Sequence, residues 1–240
     1  MNGGDKAPAD VMRWCVLVFT SLLSLGSCCR TTPGRQAAPT RTVVLTPSAT
    51  ELPPGWSAGE FREVIERAAA RWSYPNVPCG VRVVVGEPRP EWRAVQDGTN
   101  LITVRARSWC HNGRCSPTTT YPLRATAMTT TYPEGARGRS VVEGDVEVND
   151  VFFQFLDGPG VTEGGSPRRP IRLESVLAHE IGHVLGLPDI CGEIRTASGR
   201  PMTTACSPDD RERMMFAASP HESLTPADVA ALCEIYPPQT

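Results

Sequence analysis

The sequence predicts an α+β domain in which five strands and three helices share residues 41–240. Two kinds of local pattern carry this expectation: capped segments with apolar residues at helical spacing, and short β-branched runs bounded by turn residues. The composition agrees with a folded domain, since hydrophobic residues make up 40% of the 240 residues and charged residues 21%.

Five β-branched or alternating runs predict the strands. In the second run Val81, Val83 and Val85 share one face. In the fifth run Val146 and Val148 alternate with polar neighbours. The runs cover residues 42–45, 79–85, 101–104, 125–132 and 145–153.

Three segments combine helical spacing with a boundary signal. A capping box at 57–60 opens the first helix. The second covers residues 173–185, and Gly186 is its stop signal because glycine tolerates the left-handed conformation. Thr225 caps the third helix. Residues 189–222 show little periodicity, and a loop of this length is often functional.

The charge balance argues against nucleic acid as a partner. Lys and Arg total 24 and Asp and Glu total 26, which gives a formal net charge of -2. Binding to a phosphate backbone requires a basic excess, and this chain has none.

The first 27 residues read as an export signal of the lipoprotein type. The apolar run at 14–25 follows a basic residue and is too short to span a bilayer. Residues 25–28 (LGSC) resemble a bacterial lipobox, in which the cysteine becomes the lipidated first residue; ordinary cleavage nearby is the alternative. We therefore predict a signal peptide at 1–27, a tether at 28–40, and export. The protein is then either anchored through Cys28 at the outer membrane or cell surface, or secreted.

The cysteines beyond the tether agree with export. An even number of cysteines in an exported chain implies disulfides, although sequence cannot choose among the pairings. Cys110 with Cys115 is the easiest pair to form, because a Gly-containing turn separates them. A zinc cluster is the alternative, but the spacing fits no common zinc-ribbon or zinc-finger pattern. The six candidates are Cys79, Cys110, Cys115, Cys191, Cys206 and Cys233.

The second predicted helix carries the motif that points to chemistry. Residues 179–183 (HEIGH) match the zinc-protease pattern, in which two histidines lie four residues apart on a helix. At roughly 100° per residue, the side chains of His179 and His183 lie about 40° apart and project the same way. Glu180 can reach a water on the same metal. The alternative, an ordinary pair of helix histidines, does not explain why the cleft side lacks apolar residues.

A catalytic zinc site usually has three protein ligands and a water. Gly186 lets the chain fold back after the helix, and Asp189 is the first metal-binding side chain beyond it. We therefore predict His179, His183 and Asp189 as the ligands of one zinc ion, with His221 as the alternative third ligand.

On these residues the chain resembles the metzincin zinc endopeptidases, most closely the bacterial matrixin-like proteases, over about residues 41–240. The likeness rests on the motif 179–189 (HEIGHVLGLPD) and on the turn 213–216 (RMMF), in which an aromatic residue follows Met215. Two further segments are similar to the fifth strand and the last helix of the family: 145–150 (DVEVND) and 224–229 (LTPADV).

The resemblance implies a mixed, twisted five-stranded sheet with a long helix, an active-site helix and a C-terminal helix. It also implies Glu180 as the general base of peptide hydrolysis and Met215 as a hydrophobic floor beneath the zinc. Most matrixins have histidine as the third ligand; Asp189 instead matches the snapalysin-type variant. Calcium is a possible structural ion of the family, with solvated carboxylates as the alternative. The carboxylates available are Asp145, Asp150 and Asp157.

These expectations describe a monomeric zinc endopeptidase whose protein or peptide substrate adds as a strand to residues 125–131. Two other functions share parts of the pattern. A non-catalytic surface lipoprotein that binds a partner would need no base beside the metal, so Glu180 argues against it. A zinc amidase acting on cell-wall peptides would use the same chemistry on a different substrate.

Overall fold

Five strands form a mixed sheet at the centre of the fold: β1 (Arg41–Pro47), β2 (Val81–Val85), β3 (Asn100–Arg105), β4 (Ala127–Pro133) and β5 (Val141–Asn149). Their order across the sheet is β2-β1-β3-β5-β4. β1 pairs in parallel with β2 and β3, β3 pairs in parallel with β5, and β4 runs antiparallel to β5. β4 is therefore an edge strand of this sheet, with one side of its backbone free of strand partners within the sheet.

The computed structural model describes residues 41–73, 77–133, 141–158, 168–191, 193–195, 201–203, 206–217 and 223–238. They belong to one compact unit, Ala37–Thr240. The predicted signal peptide at 1–27, the tether at 28–40 with Cys28, and the alternative ligand His221 lie outside the described residues. None of the helices described has the length and apolar content required to cross a membrane.

The first four predicted strands are confirmed to within two residues at each end. The fifth run was expected to contain a strand within 145–153, and it does contain the end of β5 at Asn149; the start was wrong, because β5 begins at Val141, and Phe153 begins a separate strand. The start of β5 was missed because Glu143 and Gly144 are poor strand formers. Glu143 is nevertheless buried, and its carboxylate accepts hydrogen bonds from backbone N–H groups of the loop before β3.

The three predicted helices are present as α1 (Ala58–Arg71), α2 (Leu173–Val184) and α3 (Pro226–Ile235). The expected caps form: Ser57 and Thr225 each accept a hydrogen bond from the backbone N–H three residues later. α2 is capped from elsewhere. The carboxylate of Asp157 accepts hydrogen bonds from the N–H groups of Leu173 at 2.8 Å and Glu174 at 2.7 Å. These N–H groups belong to the first turn of the motif helix and have no partner within the helix.

Helices α1 and α2 pack on each other and on the sheet, and this contact fixes the motif helix. Trp72, which follows α1, is fully buried, and its indole N–H donates to the Ala178 carbonyl at 2.7 Å. On another side of α2, Gly182 lets the side chain of Met215 pack directly against the helix backbone, because a Cβ at this position would collide with the Met215 sulfur. The helix that carries the histidines is therefore held on two sides.

All six candidate cysteines are paired, as Cys79–Cys233, Cys110–Cys115 and Cys191–Cys206. The favoured pair of Cys110 with Cys115 is confirmed. Cys79–Cys233 joins the residues just before β2 to α3 across 154 positions of sequence. A crosslink of that length removes much of the conformational freedom of the unfolded chain.

Four short strands were not predicted from the sequence. β6 (Phe153–Phe155) pairs in parallel with β7 (Arg169–Ile171), and β8 (Glu193–Arg195) pairs antiparallel with β9 (Pro201–Thr203). The interpretation of residues 189–222 as a loop without secondary structure was therefore wrong. Three residues per strand are too few for an alternation to be recognised.

Candidate metal centre

The two motif histidines of α2 lie side by side at the wall of a cleft. Their ring centroids are 4.9 Å apart and their planes meet at 85°. Residue His179 is only 8% exposed, and His183 is partly buried. The cleft has a volume of about 520 Å³, and its walls are α2, the turn that follows α2, residues 216–217, and the edge strand β4 with residues 124–126 before it.

Backbone carbonyls fix both imidazole rings. Nδ1 of His179 lies 2.8 Å from the carbonyl oxygen of Met214, and Nδ1 of His183 lies 2.8 Å from that of Leu187. A carbonyl oxygen can only accept, so each Nδ1 carries the hydrogen and donates. In the neutral rings the lone pair therefore lies on Nε2, the tautomer that a metal-binding histidine needs.

Asp189 meets these Nε2 atoms from the following turn. Its Oδ1 lies 3.1 Å from Nε2 of His179 and 3.4 Å from Nε2 of His183. The chain reverses because Gly186 adopts a φ of +92°, and Leu187 N–H then donates to the Gly182 carbonyl at 2.9 Å. One ligand atom from each of the three predicted residues lies within 4.8 Å of the others.

Asp189 attracts both histidines in the metal-free chain. Burial by itself would lower the pKa of His183, but the hydrogen bond to Asp189 and the negative charges of Glu180 and Asp189 raise it to about 9. Burial opposes ionisation of Asp189, yet hydrogen bonds from both histidines hold its pKa well below its usual range. A cation in place of the histidine protons would meet the same negative field.

The donor set fits zinc. Two imidazole nitrogens and one carboxylate oxygen converge, and both rings have the hydrogen-bonded Nδ1 that stabilises a ligating Nε2. Among the described residues the set has three protein donors, the number that a catalytic site with a position for water uses.

The turn 213–216 holds the floor of this centre. Met214 and Met215 are both fully buried, with Met215 packed beneath Gly182. The buried carboxylate of Asp228, on α3, accepts hydrogen bonds from Met214 N–H at 3.0 Å and from the Arg213 guanidinium at 3.3 Å. Met215 thus packs against the motif helix, and its role as a floor beneath a zinc ion stays a prediction. The structure adds two contributions that the sequence did not show, the Met214 carbonyl and Asp228.

Glu180 lies next to the histidines and reaches the facing strand. Residue Glu180 is 6% exposed, and its Oε2 accepts a hydrogen bond from Thr129 Oγ1 of β4 at 2.5 Å. Sequence reasoning identified Glu180 but missed Thr129. The only available signal was that β4 is rich in threonine.

The carboxylates considered for calcium do not form one metal group among the described residues. Asp157 caps α2, Asp150 pairs with Arg168 at 2.8 Å, and Asp145 accepts a hydrogen bond from Leu101 N–H at 2.9 Å. Bound calcium stays a prediction.

A second histidine environment lies away from the α2 motif, in the segment between β3 and β4. Nδ1 of His111 lies 2.8 Å from Oε2 of Glu147, which is fully buried in β5. The same carboxylate accepts hydrogen bonds from Tyr121 Oη and Arg105 Nε, both at 2.5 Å, and from Asn112 N–H at 2.8 Å. We call these five residues the Glu147 cluster.

Comparison with protein-family models and with curated protein sequences gives no match. Among solved structures the chain is similar to metalloproteinase-II from Bacteroides fragilis, with 13% identity, a TM-score of 0.38, and coverage of 84% of this chain but only 55% of that one. It is also similar to the GM1-bound form of the ECX AB5 holotoxin, with 14% identity, a TM-score of 0.32, and coverage of 80% and 70%. Similarities this weak assign neither a fold family nor a function, so the function has to be argued from the site itself.

Proposed function

We propose that this chain is a zinc-dependent endopeptidase with His179, His183 and Asp189 as metal ligands and Glu180 as general base. The observation that carries the proposal is the convergence of two Nε2 atoms and one carboxylate oxygen in a cleft, with both Nδ1 atoms bound to backbone carbonyls. A buried carboxylate beside this donor set serves no need of a purely structural metal site.

When bound, zinc supplies Lewis-acid chemistry: it polarises a peptide carbonyl and makes a water more acidic. Glu180 takes the proton of the attacking water, and the new C–O bond forms as that O–H bond breaks and the carbonyl π bond opens. Glu180 then gives the proton to the leaving amine as the C–N bond breaks and the carbonyl re-forms. One carboxylate therefore serves as base and as acid in turn.

The cleft supports a peptide as substrate. β4 lines one wall and is an edge strand of the sheet, so its free N–H and C=O groups can pair with an extended peptide. The motif helix faces it across the cleft, which would hold the peptide bond between the strand and the donor set. A bond held in this way need not lie at a chain end, which favours an endopeptidase.

The proposal includes export of a monomer. Three disulfides are typical of an oxidising compartment, and they support the export that residues 1–28 predict. Anchoring through a lipidated Cys28, or secretion after ordinary cleavage, both belong to this proposal.

The test is hydrolysis of a mixed quenched-peptide library by the purified zinc-loaded protein. Glu180→Gln removes the base and keeps the side-chain shape; Glu174→Gln, on the same helix but paired with arginines, is the matched control. We expect cleavage by the parent and by Glu174→Gln, and loss of at least about 1,000-fold in Glu180→Gln with zinc content unchanged.

Equal cleavage by the Glu180→Gln variant would overturn the role of Glu180. Zinc-loaded parent protein that cleaves no peptide would overturn the endopeptidase. Turnover of purified peptidoglycan in that case would identify an amidase of cell-wall peptides, and absence of both activities would favour a binding protein.

A further inference from the structure

The hydroxyl of Thr129 bridges the peptide-binding strand and the proposed base. It donates a hydrogen bond to Oε2 of Glu180 at 2.5 Å, and this contact links β4 on one wall of the cleft with α2 on the other. Within the described residues this is the one hydrogen bond that the Glu180 carboxylate makes. Thr129 itself pairs in register with Val146 inside the β4–β5 ladder, so its backbone is fixed by the sheet.

We propose that Thr129 is a positioning residue for Glu180, an inference that rests on the proposed function. A glutamate beside a cleft has several rotamers, and holding it in one of them costs side-chain entropy if nothing preorganises it. A hydrogen bond to an ionised carboxylate is strong enough to select one of them. Threonine suits this role because branching at Cβ restricts χ1, which fixes the direction of Oγ1.

The contact also distinguishes the two carboxylate oxygens. Oε2 accepts the hydrogen bond of the Thr129 hydroxyl, whereas Oε1 accepts none from the described residues. Both lone pairs of Oε1 are therefore available for the proton of the attacking water, and the Oε1–H bond breaks later, when the N–H bond of the leaving amine forms. Because Thr129 belongs to the strand that would hold the peptide, the base and the substrate share one support.

Kinetics of three variants test this role. Thr129→Val keeps the shape and removes the hydroxyl, and Thr129→Ser keeps the hydroxyl. Thr103→Val is the matched control, since Thr103 lies buried in β3 and its hydroxyl has no hydrogen-bond partner. We expect kcat to fall by about 10- to 100-fold in Thr129→Val with KM within about twofold, and Thr129→Ser to recover most of kcat. Thr103→Val should keep the parental kcat, and all four proteins should hold equal zinc.

A second readout needs no activity. In chelator-treated protein, Thr129→Val should lower the melting temperature of the parent but not of a Glu180→Ala background, because the partner of the hydroxyl is already absent there. Equal losses in both backgrounds would show that Thr129 merely packs the strand and would overturn the inference.

The kinetic outcomes are equally decisive. Parental kcat in Thr129→Val, or a Thr129→Ser variant as slow as Thr129→Val, would overturn the positioning role while leaving the peptidase intact. A parent protein without peptide turnover would instead refute the proposed function, and the thermal cycle would then report only whether the contact exists.

Discussion

The metal centre and the Glu147 cluster use the same residue types in opposite ways. In the Glu147 cluster the carboxylate is saturated, because Arg105 and Asn112 donate to one oxygen while Tyr121 and His111 contact the other. In the metal centre the three side chains have no cationic partner besides the histidines themselves within the described part of the chain. The Nδ1 atoms of both histidines donate to backbone carbonyls, and the two Nε2 atoms and Oδ1 of Asp189 converge on one another.

The difference shows what separates a structural cluster from a candidate site. A buried carboxylate is stable when donors and a cation satisfy it, and no lone pair is then left for a ligand. A metal centre needs the reverse, with lone pairs that converge and have only one another as partners. Residue identity alone does not distinguish the two cases, and hydrogen-bond partners do.

The largest expected effect is on metal affinity. His183→Ala removes one donor and should weaken zinc binding by about 100-fold or more, whereas His111→Ala should leave zinc affinity at the parental value. Titration against a zinc-binding dye measures both. Tight binding in the His183 variant, or weakened binding in the His111 variant, would reverse the assignment of the two clusters.

The next effect is on stability. Glu147→Gln removes the charge that neutralises the buried Arg105, and this should cost about 3–5 kcal/mol of the free energy of unfolding, with zinc content unchanged. Glu174→Gln breaks ion pairs that are partly solvent-exposed and should cost about 1 kcal/mol or less. Urea unfolding at one pH compares them. A smaller loss for Glu147 than for Glu174 would contradict the view that its cluster supports the fold.

The smallest expected effect is a pH-dependent change of stability at Asp145. This carboxylate is intermediate between the two regions, because it is buried like Glu147 but has no cationic partner among the described residues. One of its oxygens accepts a hydrogen bond from Leu101 N–H at 2.9 Å, and no cation lies within ion-pair distance in the ranges that the structure describes. Burial, with the nearby charges of Glu143 and Asp97, raises its pKa to about 7. The pKa of Asp145 in the folded chain exceeds that of an unfolded aspartate, about 3.9. The contribution of Asp145 to stability is therefore fully present below a pH of about 3.9, and it is lost as the pH rises through about 7.

Asp145→Asn should remove this dependence. In metal-free protein we expect the variant to gain stability relative to the parent between pH 5 and pH 8, by on the order of 1–3 kcal/mol. Thermal unfolding at the two pH values measures the difference. An unchanged difference between variant and parent across this range would mean that Asp145 is ionised throughout.

Local patterns predicted the elements of the metal centre well. The motif helix, its stop at Gly186 and the ligand candidate Asp189 lie within 17 positions, so periodicity and a turn signal were enough to identify them. The contacts that complete the site span larger separations: 35 positions from His179 to Met214, and 51 from Thr129 to Glu180. Only the folded chain places such residues together.

The burial of Asp145 and Glu147 in β5 could not be predicted for a related reason. Alternation of valines with Asp145 and Glu147 is the pattern of a strand with one polar face. Both faces are covered here, because Arg105 reaches Glu147 from another strand and Asn112 reaches it from the segment that the Cys110–Cys115 disulfide closes. A sequence pattern does not contain the partners that make burial of a charge tolerable.

The most direct test of the metal centre is anomalous scattering at the zinc edge from crystals of the zinc-loaded protein. We predict one strong peak at about 2.0–2.2 Å from Nε2 of His179, Nε2 of His183 and a carboxylate oxygen of Asp189. A peak at the Glu147 cluster instead, or a zinc ion that leaves Asp189 uncoordinated, would contradict the account.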